Sequence, residues 1–138
     1  MKLVSVYKLD DPFNLLYALL NEREPHQNIS HKRMPTWEEH TRFVLSRPYR
    51  VWYAIVDIDE PVGACYLSKQ REIGVFVLRK YRGKGYGAFA VQDMIRRWPG
   101  RLLANINPEN RASQGFFQKM GFGGPIQYTY EYNAPDSR

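Results

Sequence analysis

Three strand-forming segments follow one another in the middle of the chain, with only a few turn residues between them. They are YRVWYAIVDI at 49–58, PVGACYLSK at 61–69 and EIGVFVL at 72–78, and the turn signals DEP and KQR separate them. β-Branched and aromatic residues favour strands, and connections this short join antiparallel neighbours. The sequence therefore predicts an antiparallel meander, and the helices must pack against it.

Helical and strand patterns flank this meander on both sides. Asp11 is the expected N-cap of one helix, and Thr36 with Glu39 forms the capping box of a second. The predicted elements outside the meander are a strand at 2–9, helices at 11–23 and 36–46, a helix that WPG ends at 98–100, a strand at 101–107, a helix at 108–120 and a strand at 126–132. The order β-α-α-β-β-β-α-β-α-β predicts a mixed sheet of the α/β (α+β) class with one parallel crossover. We expect one domain over 1–132 and a flexible tail at 133–138.

Composition restricts the classes of function. A chain of 138 residues with 43% hydrophobic residues predicts one globular domain. No apolar run approaches the roughly 20 residues of a membrane span, and the start of the chain lacks the apolar stretch of a signal peptide. The single cysteine, Cys65, allows no disulfide and no thiolate metal cluster, which favours the cytoplasm and predicts no metal.

A glycine-rich stretch follows the meander directly. RKYRGKGYGAFA at 79–90 holds three glycines among four cations, and a net charge of +6 suits an anionic partner. Glycines between a strand and a helix let a phosphate approach free backbone amides at the positive end of the helix dipole. The P-loop pattern is absent, because no Gly-Lys pair is followed by Ser or Thr. Gly83, Gly85 and Ala88 match the dinucleotide fingerprint, but the preceding strand belongs to a meander and no acidic residue ends the next strand.

A third kind of phosphate loop fits better. VxLRKYRGKGYG followed by a helix resembles the acetyl-CoA loop of the GNAT superfamily of N-acetyltransferases, whose Q/R-x-x-G-x-G/A pattern is met by Arg82, Gly85 and Gly87. NRASQGFFQKMGF at 110–122 is similar to the second motif of that family. The resemblance covers most of the chain. It implies a GNAT fold, a mostly antiparallel sheet of six to seven strands with about four helices.

The resemblance also implies where acetyl-CoA, the expected co-substrate, binds. The amides of residues 82–88 would wrap its pyrophosphate, and its pantetheine arm would enter between 75–78 and 102–106. The cofactor-binding residues expected from this likeness are Phe76, Val77, Leu78, Arg82, Gly83, Lys84, Gly85, Tyr86, Gly87, Ala88, Asn105, Asn110 and Phe117. Asn105 is equally explained as the cap of a strand end, and Asn110 as a helix N-cap.

The catalytic groups are less clear from sequence. Phe117 stands where many members of the family carry a tyrosine that protonates the leaving thiolate, and phenylalanine has no proton to give. A coenzyme A thiol can leave as thiolate, or Tyr86, Tyr128 or Tyr130 could substitute. The candidate general bases are Glu72, which begins the cofactor strand, and His40, whose alternative interpretation is a helix histidine without function.

The acceptor site is expected along 24–47 and the C-terminal strand. His31, Trp37, Glu39 and Tyr128 are the candidate acceptor-binding residues. EEHxxFV resembles GNAT enzymes that acetylate nucleotide-linked amino sugars, so the predicted function is N-acetylation of a small-molecule amine in a ternary complex. The alternatives are acetylation of a protein N-terminus and a domain that binds acyl-CoA without turnover. No nucleic-acid or membrane partner is expected, because aromatic residues are not interleaved with the basic patch, and a homodimer is left open.

Overall fold

The computed structural model describes residues 1–23 and 33–135. Its elements, in chain order, are β1 (Lys2–Ser5), α1 (Pro12–Asn21), α2 (Trp37–Leu45), β2 (Val51–Asp57), β3 (Glu60–Leu67), β4 (Ile73–Val77), α3 (Tyr86–Arg97) and α4 (Arg111–Lys119). Short 3-10 turns follow β1 at Val6–Lys8 and β4 at Arg79–Tyr81. Residues 24–32, the first part of the segment where the acceptor site is expected, lie outside the described residues.

The helix signals in the sequence form the expected caps. The Asp11 carboxylate accepts hydrogen bonds from the Phe13 and Asn14 amides, and Pro12 occupies the first turn of α1. In α2 the Thr36 hydroxyl accepts from the Glu39 amide at 3.1 Å, and the Glu39 carboxylate accepts from the Thr36 amide at 2.8 Å. These reciprocal bonds satisfy amides that have no partner inside a helix, so both helix starts are set locally.

The predicted meander is confirmed and forms most of the sheet. The strands lie in the order β1-β2-β3-β4, and every neighbouring pair is antiparallel. Because side chains alternate along a strand, Ile55 packs towards α3 and α4 on one face while Ala54 packs towards α1 and α2 on the other. Each face therefore has its own apolar core, and the helices are divided between the two.

The predicted number of strands is wrong, because the described residues form a sheet of four strands. The segment 101–107 contributes one parallel bridge, between Glu72 and Leu103, and then leaves the sheet. Residues 126–132 form no strand, and Ile126, Tyr128 and Tyr130 are exposed. A strand needs a hydrogen-bonding neighbour as well as an alternating pattern, and 101–107 supplies such an edge at one point only.

Two further features concern the described residues alone. None of their helices combines the length and the apolar character needed to cross a lipid bilayer. The described residues contain no group of three or more His, Cys, Asp or Glu side chains that could hold a metal ion. Cys65 is a buried free thiol, and burial raises its pKa to about 12, so it acts as a core residue.

Candidate acetyl-CoA and acceptor site

The glycine stretch forms a left-handed entry into α3. Gly83 and Gly85 have φ of +77° and +87°, values that side chains rarely adopt, and Gly85 is the N-cap of the helix. Among the described residues no side chain caps this helix start. An atom added as Cβ at Gly83 or Gly85 would meet no described atom within 4 Å. The loop thus presents backbone amides to open space, which suits a diphosphate.

The four cations of the stretch have different surroundings. The Arg79 guanidinium donates to the Glu22 carbonyl at 3.3 Å, so it ties the loop to the end of α1. The Lys80 and Lys84 ammonium groups lie 5.1 and 5.9 Å from the centre of the Tyr81 ring. Arg82 donates from Nε to the Val77 carbonyl at 3.2 Å, and both Arg82 and Lys84 are exposed. Arg79 and Lys80 are exposed as well, but Arg82 and Lys84 flank Gly83 directly, so these two cations lie closest along the chain to the open amides of the loop.

Strand β4 and the segment 101–107 diverge directly after their single bridge. The Ile73 amide donates to the Leu103 carbonyl at 2.7 Å. Because backbone groups alternate between the two edges of a strand, Val75 and Val77 direct theirs into the gap that opens beyond Ile73. This gap is where the resemblance placed the pantetheine arm.

The backbone prediction at this gap needs a correction. Of the three residues predicted to face it, only Val77 does so. The Leu78 amide donates to the Val62 carbonyl at 2.9 Å, and Phe76 shares that edge because it lies two residues away. Both therefore turn their backbone groups towards β3. Val75, which the sequence analysis did not include, takes their place.

Helix α4 closes the far side of the gap. Asn110 is its N-cap, with Oδ1 accepting from the Ser113 amide at 3.1 Å, and the residue is buried. Phe117 is also buried, with its ring edge-on to Phe116 and Phe122 at 5.1 Å each. Asn110 thus has a structural role whatever it contacts in a ligand, and Phe117 adds apolar wall.

One open cleft of about 1550 Å³ connects the loop, the gap and the α1–α2 side of the sheet. The predicted cofactor residues that line it are Phe76, Val77, Arg82, Gly83, Gly85, Tyr86, Gly87, Ala88, Asn105, Asn110 and Phe117. Leu78 and Lys84 lie outside this set of described residues. Glu39 and His40 line the same cleft from α2. The structure therefore brings the cofactor motif and part of the predicted acceptor helix to one cavity.

His40 is held by packing inside the protein. The residue is 2% exposed, and its Nε2 lies 3.0 Å from the Phe13 carbonyl of α1. A carbonyl only accepts, so Nε2 carries the proton of a neutral ring. Burial lowers the pKa of His40, and the bond to Phe13 partly opposes that shift. A neutral, buried ring that joins two helices favours the interpretation of His40 as a core residue.

Glu72 lies at the last point of contact between β4 and 101–107. Its carboxylate accepts from Ser68 Oγ at 3.1 Å and from the side-chain amide of Asn105. Glu72 does not belong to the described residues that line the cleft. This placement favours a role in positioning Asn105, which does line it.

The other predicted acceptor residues are dispersed. Trp37 is 43% exposed and packs edge-on to the Tyr17 ring, with centroids 5.1 Å apart. Both Glu39 oxygens lie 3.2 Å from Arg33 nitrogens, and this ion pair with the capping bonds lowers the pKa of Glu39 to about 2. Tyr128 is 75% exposed, away from regular structure. His31 lies outside the described residues.

Sequence reasoning missed an aromatic wall on the α1–α2 face of the sheet. Trp52, Tyr66 and Gly74 lie side by side on β2, β3 and β4. Tyr49 stacks on Tyr66 with centroids 3.9 Å apart and planes 8° apart. Phe43 of α2 contacts Tyr49 and Trp52 edge-on. All five residues line the cleft, so aromatic rings make up much of its lining on this face of the sheet.

A family comparison identifies this combination of loop, gap and cleft. The model of the acetyltransferase (GNAT) family matches residues 13–122. The chain belongs to the GNAT family. The match spans α2, the strands β2–β4 that carry most of the aromatic wall, and the glycine loop, so the GNAT region includes the whole cleft described above.

Curated relatives and solved structures agree with the GNAT assignment. The peptidyl-lysine N-acetyltransferases YjaB of Salmonella typhimurium and Escherichia coli are 38% and 35% identical over 72 residues, which is 52% of this chain and 49% and 48% of theirs. The chain thus spans about half the length of these relatives. A solved domain from Methanocaldococcus jannaschii aligns with a TM-score of 0.73 and 20% identity, covering 92% of this chain and 90% of that domain, which shows the shared fold.

The residues that the sequence analysis missed had weak signals. Val75 could have been found from strand alternation once the parallel bridge at Glu72 was known. Tyr66 and Tyr49 are 17 positions apart in sequence, and only the β2–β3 pairing brings them together. Gly74, a glycine inside a strand pattern, was a local sign that something packs closely against β4 of this GNAT domain.

Proposed function

We propose that this GNAT chain transfers the acetyl group of acetyl-CoA to a primary amine while both substrates are bound. The observation that carries the proposal is the continuity of the cleft. One cavity joins the glycine loop, the gap beside β4 and the aromatic wall. Two substrates bound at its two ends would meet beside β4 without a change of fold.

The residues at the loop end fit acetyl-CoA. Gly83 and Gly85 hold the amides at the start of α3 open for a diphosphate, and Arg82 and Lys84 add positive charge. Val75 offers both of its backbone groups and Val77 its amide to a pantetheine arm, as a neighbouring strand would, while the Val77 carbonyl accepts from Arg82 Nε. When bound, acetyl-CoA supplies a thioester, whose carbonyl carbon is open to attack by an amine.

The attacking amine must be neutral, and desolvation at the aromatic wall favours the neutral form. Removing an ammonium group from water into an aromatic, half-buried surface lowers its pKa. Tyr49 experiences the same environment, because burial is the largest cause that raises its pKa. Desolvation thus lowers the pKa of the acceptor amine, although the attraction of ring faces for an ammonium group opposes this shift. We propose that water accepts the proton of the ammonium group, because Glu72 and His40 are engaged with Ser68 and with the Phe13 carbonyl.

We favour the side-chain amine of a peptide lysine as the acceptor. The aliphatic stem of lysine matches an apolar wall of stacked rings, which leaves the amine at its tip beside β4. The curated relatives that match half of this chain are named peptidyl-lysine N-acetyltransferases. This name supports the assignment for the shared half and is carried over here as a proposal.

The nucleotide-linked amino sugar is the second candidate. Its basis was the resemblance of EEHxxFV at 38–44 to enzymes that acetylate such sugars, and the basic run HKR at 31–33 would suit the diphosphate of the substrate. Arg33 is engaged with Glu39, while His31 and Lys32 lie outside the described residues. The open cleft is large enough for a nucleotide sugar, and this observation keeps the candidate in the test.

Thiol release from acetyl-CoA, measured with a panel of amines, tests the proposal. The panel contains a lysine peptide with a blocked N-terminus, the same peptide with the lysine blocked and the N-terminus free, and an amino-sugar nucleotide. We expect turnover with the first. Turnover with only the third would replace the lysine assignment, and turnover with only the second would indicate N-terminal acetylation. Acetyl-CoA binding without turnover of any amine would contradict the enzymatic function.

A further inference from the structure

Tyr66 has a position that neither the glycine loop nor the predicted acceptor residues explain. Its ring lies flat across the neighbouring strand, directly over Gly74. A Cβ atom at position 74 would lie 2.2 Å from Cε2, 2.4 Å from Cζ and 2.7 Å from the hydroxyl oxygen of Tyr66. Any other residue at 74 would displace the ring, so the two positions are suited to each other.

The ring is also fixed from the other side. Tyr49 stacks on it at 3.9 Å, and the Phe76 ring lies 6.3 Å away along β4. Tyr66 is half-buried and lines the cleft together with Gly74 and Val75. The Tyr66 ring is held between Tyr49 and the backbone of β4, so its hydroxyl lies beside Gly74. The next residue, Val75, is the first one beyond the bridge whose backbone groups face the gap.

We propose that the Tyr66 hydroxyl donates the proton to the coenzyme A thiolate that leaves during acetyl transfer. As the nitrogen–carbon bond forms and the carbon–sulfur bond breaks, Tyr66 passes its proton to sulfur. The phenolate then takes up the proton that the attacking amine releases, so protons and electrons balance. This inference rests on the proposed function. It assigns to Tyr66 the role of general acid, which the Phe117 side chain cannot fill because it has no proton to give.

The tyrosines that the sequence offered for this role, Tyr86, Tyr128 and Tyr130, are committed or distant, and so is Tyr81. Tyr86 donates to the Asp57 carboxylate at 2.6 Å. The Tyr81 hydroxyl donates a hydrogen bond to the Glu60 carboxylate, and Tyr81 does not belong to the aromatic wall. Tyr128 and Tyr130 are 75% and 92% exposed on a segment without regular structure.

The surroundings of Tyr66 keep it protonated. Burial, the largest cause, raises the pKa of Tyr66, and so does the negative charge of Glu72, while Arg23 and Tyr49 act in the opposite direction. Arg23 reaches this face from the end of α1, where its guanidinium lies 4.8 Å from the centre of the Phe76 ring. A phenol that is neutral near pH 7 can donate a proton, whereas a phenolate could not.

Tyr66→Phe is the direct test, because it removes the hydroxyl and keeps the ring over Gly74. We expect kcat with the best amine of the panel to fall about 100-fold, within the range that a general acid contributes. Phe117→Tyr added to this variant should restore at least tenfold of the loss, by supplying a phenol from α4. A fall of less than tenfold in Tyr66→Phe, or no rescue by the added tyrosine, would overturn the inference.

Coenzyme A binding provides a readout that does not depend on turnover. A phenol that donates to sulfur stabilises bound thiolate, so Tyr66→Phe should weaken coenzyme A binding about tenfold near pH 9, by calorimetry. Acetyl-CoA, which has no thiolate, should bind the variant and the wild type equally. Equal effects on both ligands would exclude the contact with sulfur.

Tyr53→Phe is the matched control, since Tyr53 lies on the opposite face of the sheet with Arg97 over its ring at 5.2 Å. It should leave kcat and both affinities unchanged. A loss there equal to that in Tyr66→Phe would show a general effect of removing a tyrosine hydroxyl and overturn the assignment. If the wild type acetylates no amine, the proposed function fails and this inference with it, whereas active wild type with equally active Tyr66→Phe removes this inference alone.

Discussion

The roles of individual residues in this protein follow from their surroundings rather than from their residue type. His40 and Glu39 are neighbours on α2, and both belong to residue types used in proton transfer. His40 is buried against the Phe13 carbonyl, and the Glu39 carboxylate is occupied by Arg33 and Thr36. Both side chains therefore have structural partners, and their chemistry is best tested through stability.

The buried His40 ring should make stability depend on pH. Its folded-state pKa lies below the ordinary value of 6.5, so the unfolded chain binds this proton more readily. The contribution is present above pH 6.5 and is lost as the pH falls through the folded-state pKa. His40→Gln removes this titration, so its melting temperature should fall less than that of wild type between about pH 7.5 and pH 5. Parallel melting curves would instead show that His40 does not titrate on unfolding.

Gly85 is the residue on which the phosphate loop depends most. With φ at +87°, Gly85→Val forces a β-branched side chain into the left-handed region and places it among the free amides of α3. Acetyl-CoA affinity should fall at least tenfold, or about 1.4 kcal/mol, by calorimetry. Gly115→Ala is the control, since its Cβ would meet no described atom within 4 Å and should stabilise α4 by up to about 1 kcal/mol. Unchanged affinity in Gly85→Val would remove the loop from the cofactor site.

At the scale of elements, α4 combines a structural role with a proposed role in binding the cofactor, and its sequence motif does not distinguish the two. The Asn110 side chain caps the helix, and Phe117 and Phe122 hold it against the α3 side of the sheet. Because the helix has nine residues, it owes its stability to this packing and cap more than to its own propensity. A change at Asn110 can therefore act on the helix, on the cofactor, or on both.

Two substitutions at Asn110 distinguish the structural role of the residue from a role in cofactor binding. Asn110→Ala removes the cap and should lower the free energy of unfolding by about 1 kcal/mol. Asn110→Asp keeps an oxygen acceptor for the Ser113 amide and should retain that stability, as chemical denaturation would show. If the amide also contacts acetyl-CoA, the Asp variant binds it more weakly although it is fully stable. A loss of stability in Asn110→Asp equal to that in Asn110→Ala would contradict the capping role.

At the scale of the whole molecule, the cleft runs between the two halves of the protein. The α1–α2 core on one face and the α3–α4 core on the other meet at β4, whose outer edge is open beyond the bridge to Leu103. Both cores include residues of β4, with Ile73 in one and Phe76 packed against the other. A ligand that fills the gap should therefore stabilise both halves together.

Acetyl-CoA should raise the melting temperature of the protein. At about 100 times the dissociation constant, binding to the folded state adds roughly 2.7 kcal/mol, or on the order of 10 °C for a chain of this size. Gly85→Val, whose affinity is at least tenfold lower, should show about half of this rise or less at the same concentration. An equal rise in both proteins, measured by differential scanning fluorimetry, would place the ligand away from the loop.

The sequence by itself determined the features that depend on near neighbours in the chain. The caps at Asp11 and Thr36, the meander through β2, β3 and β4, and the glycine entry to α3 need only local hydrogen bonds, side-chain alternation and backbone freedom. Only the tertiary structure decided what depends on distant partners. Segments 101–107 and 126–132 alternate like strands, but 101–107 pairs with the β4 edge at one bridge only and then diverges, and 126–132 forms no strand. The same holds for Tyr66 over Gly74, because close packing between strands brings together residues that no local pattern relates.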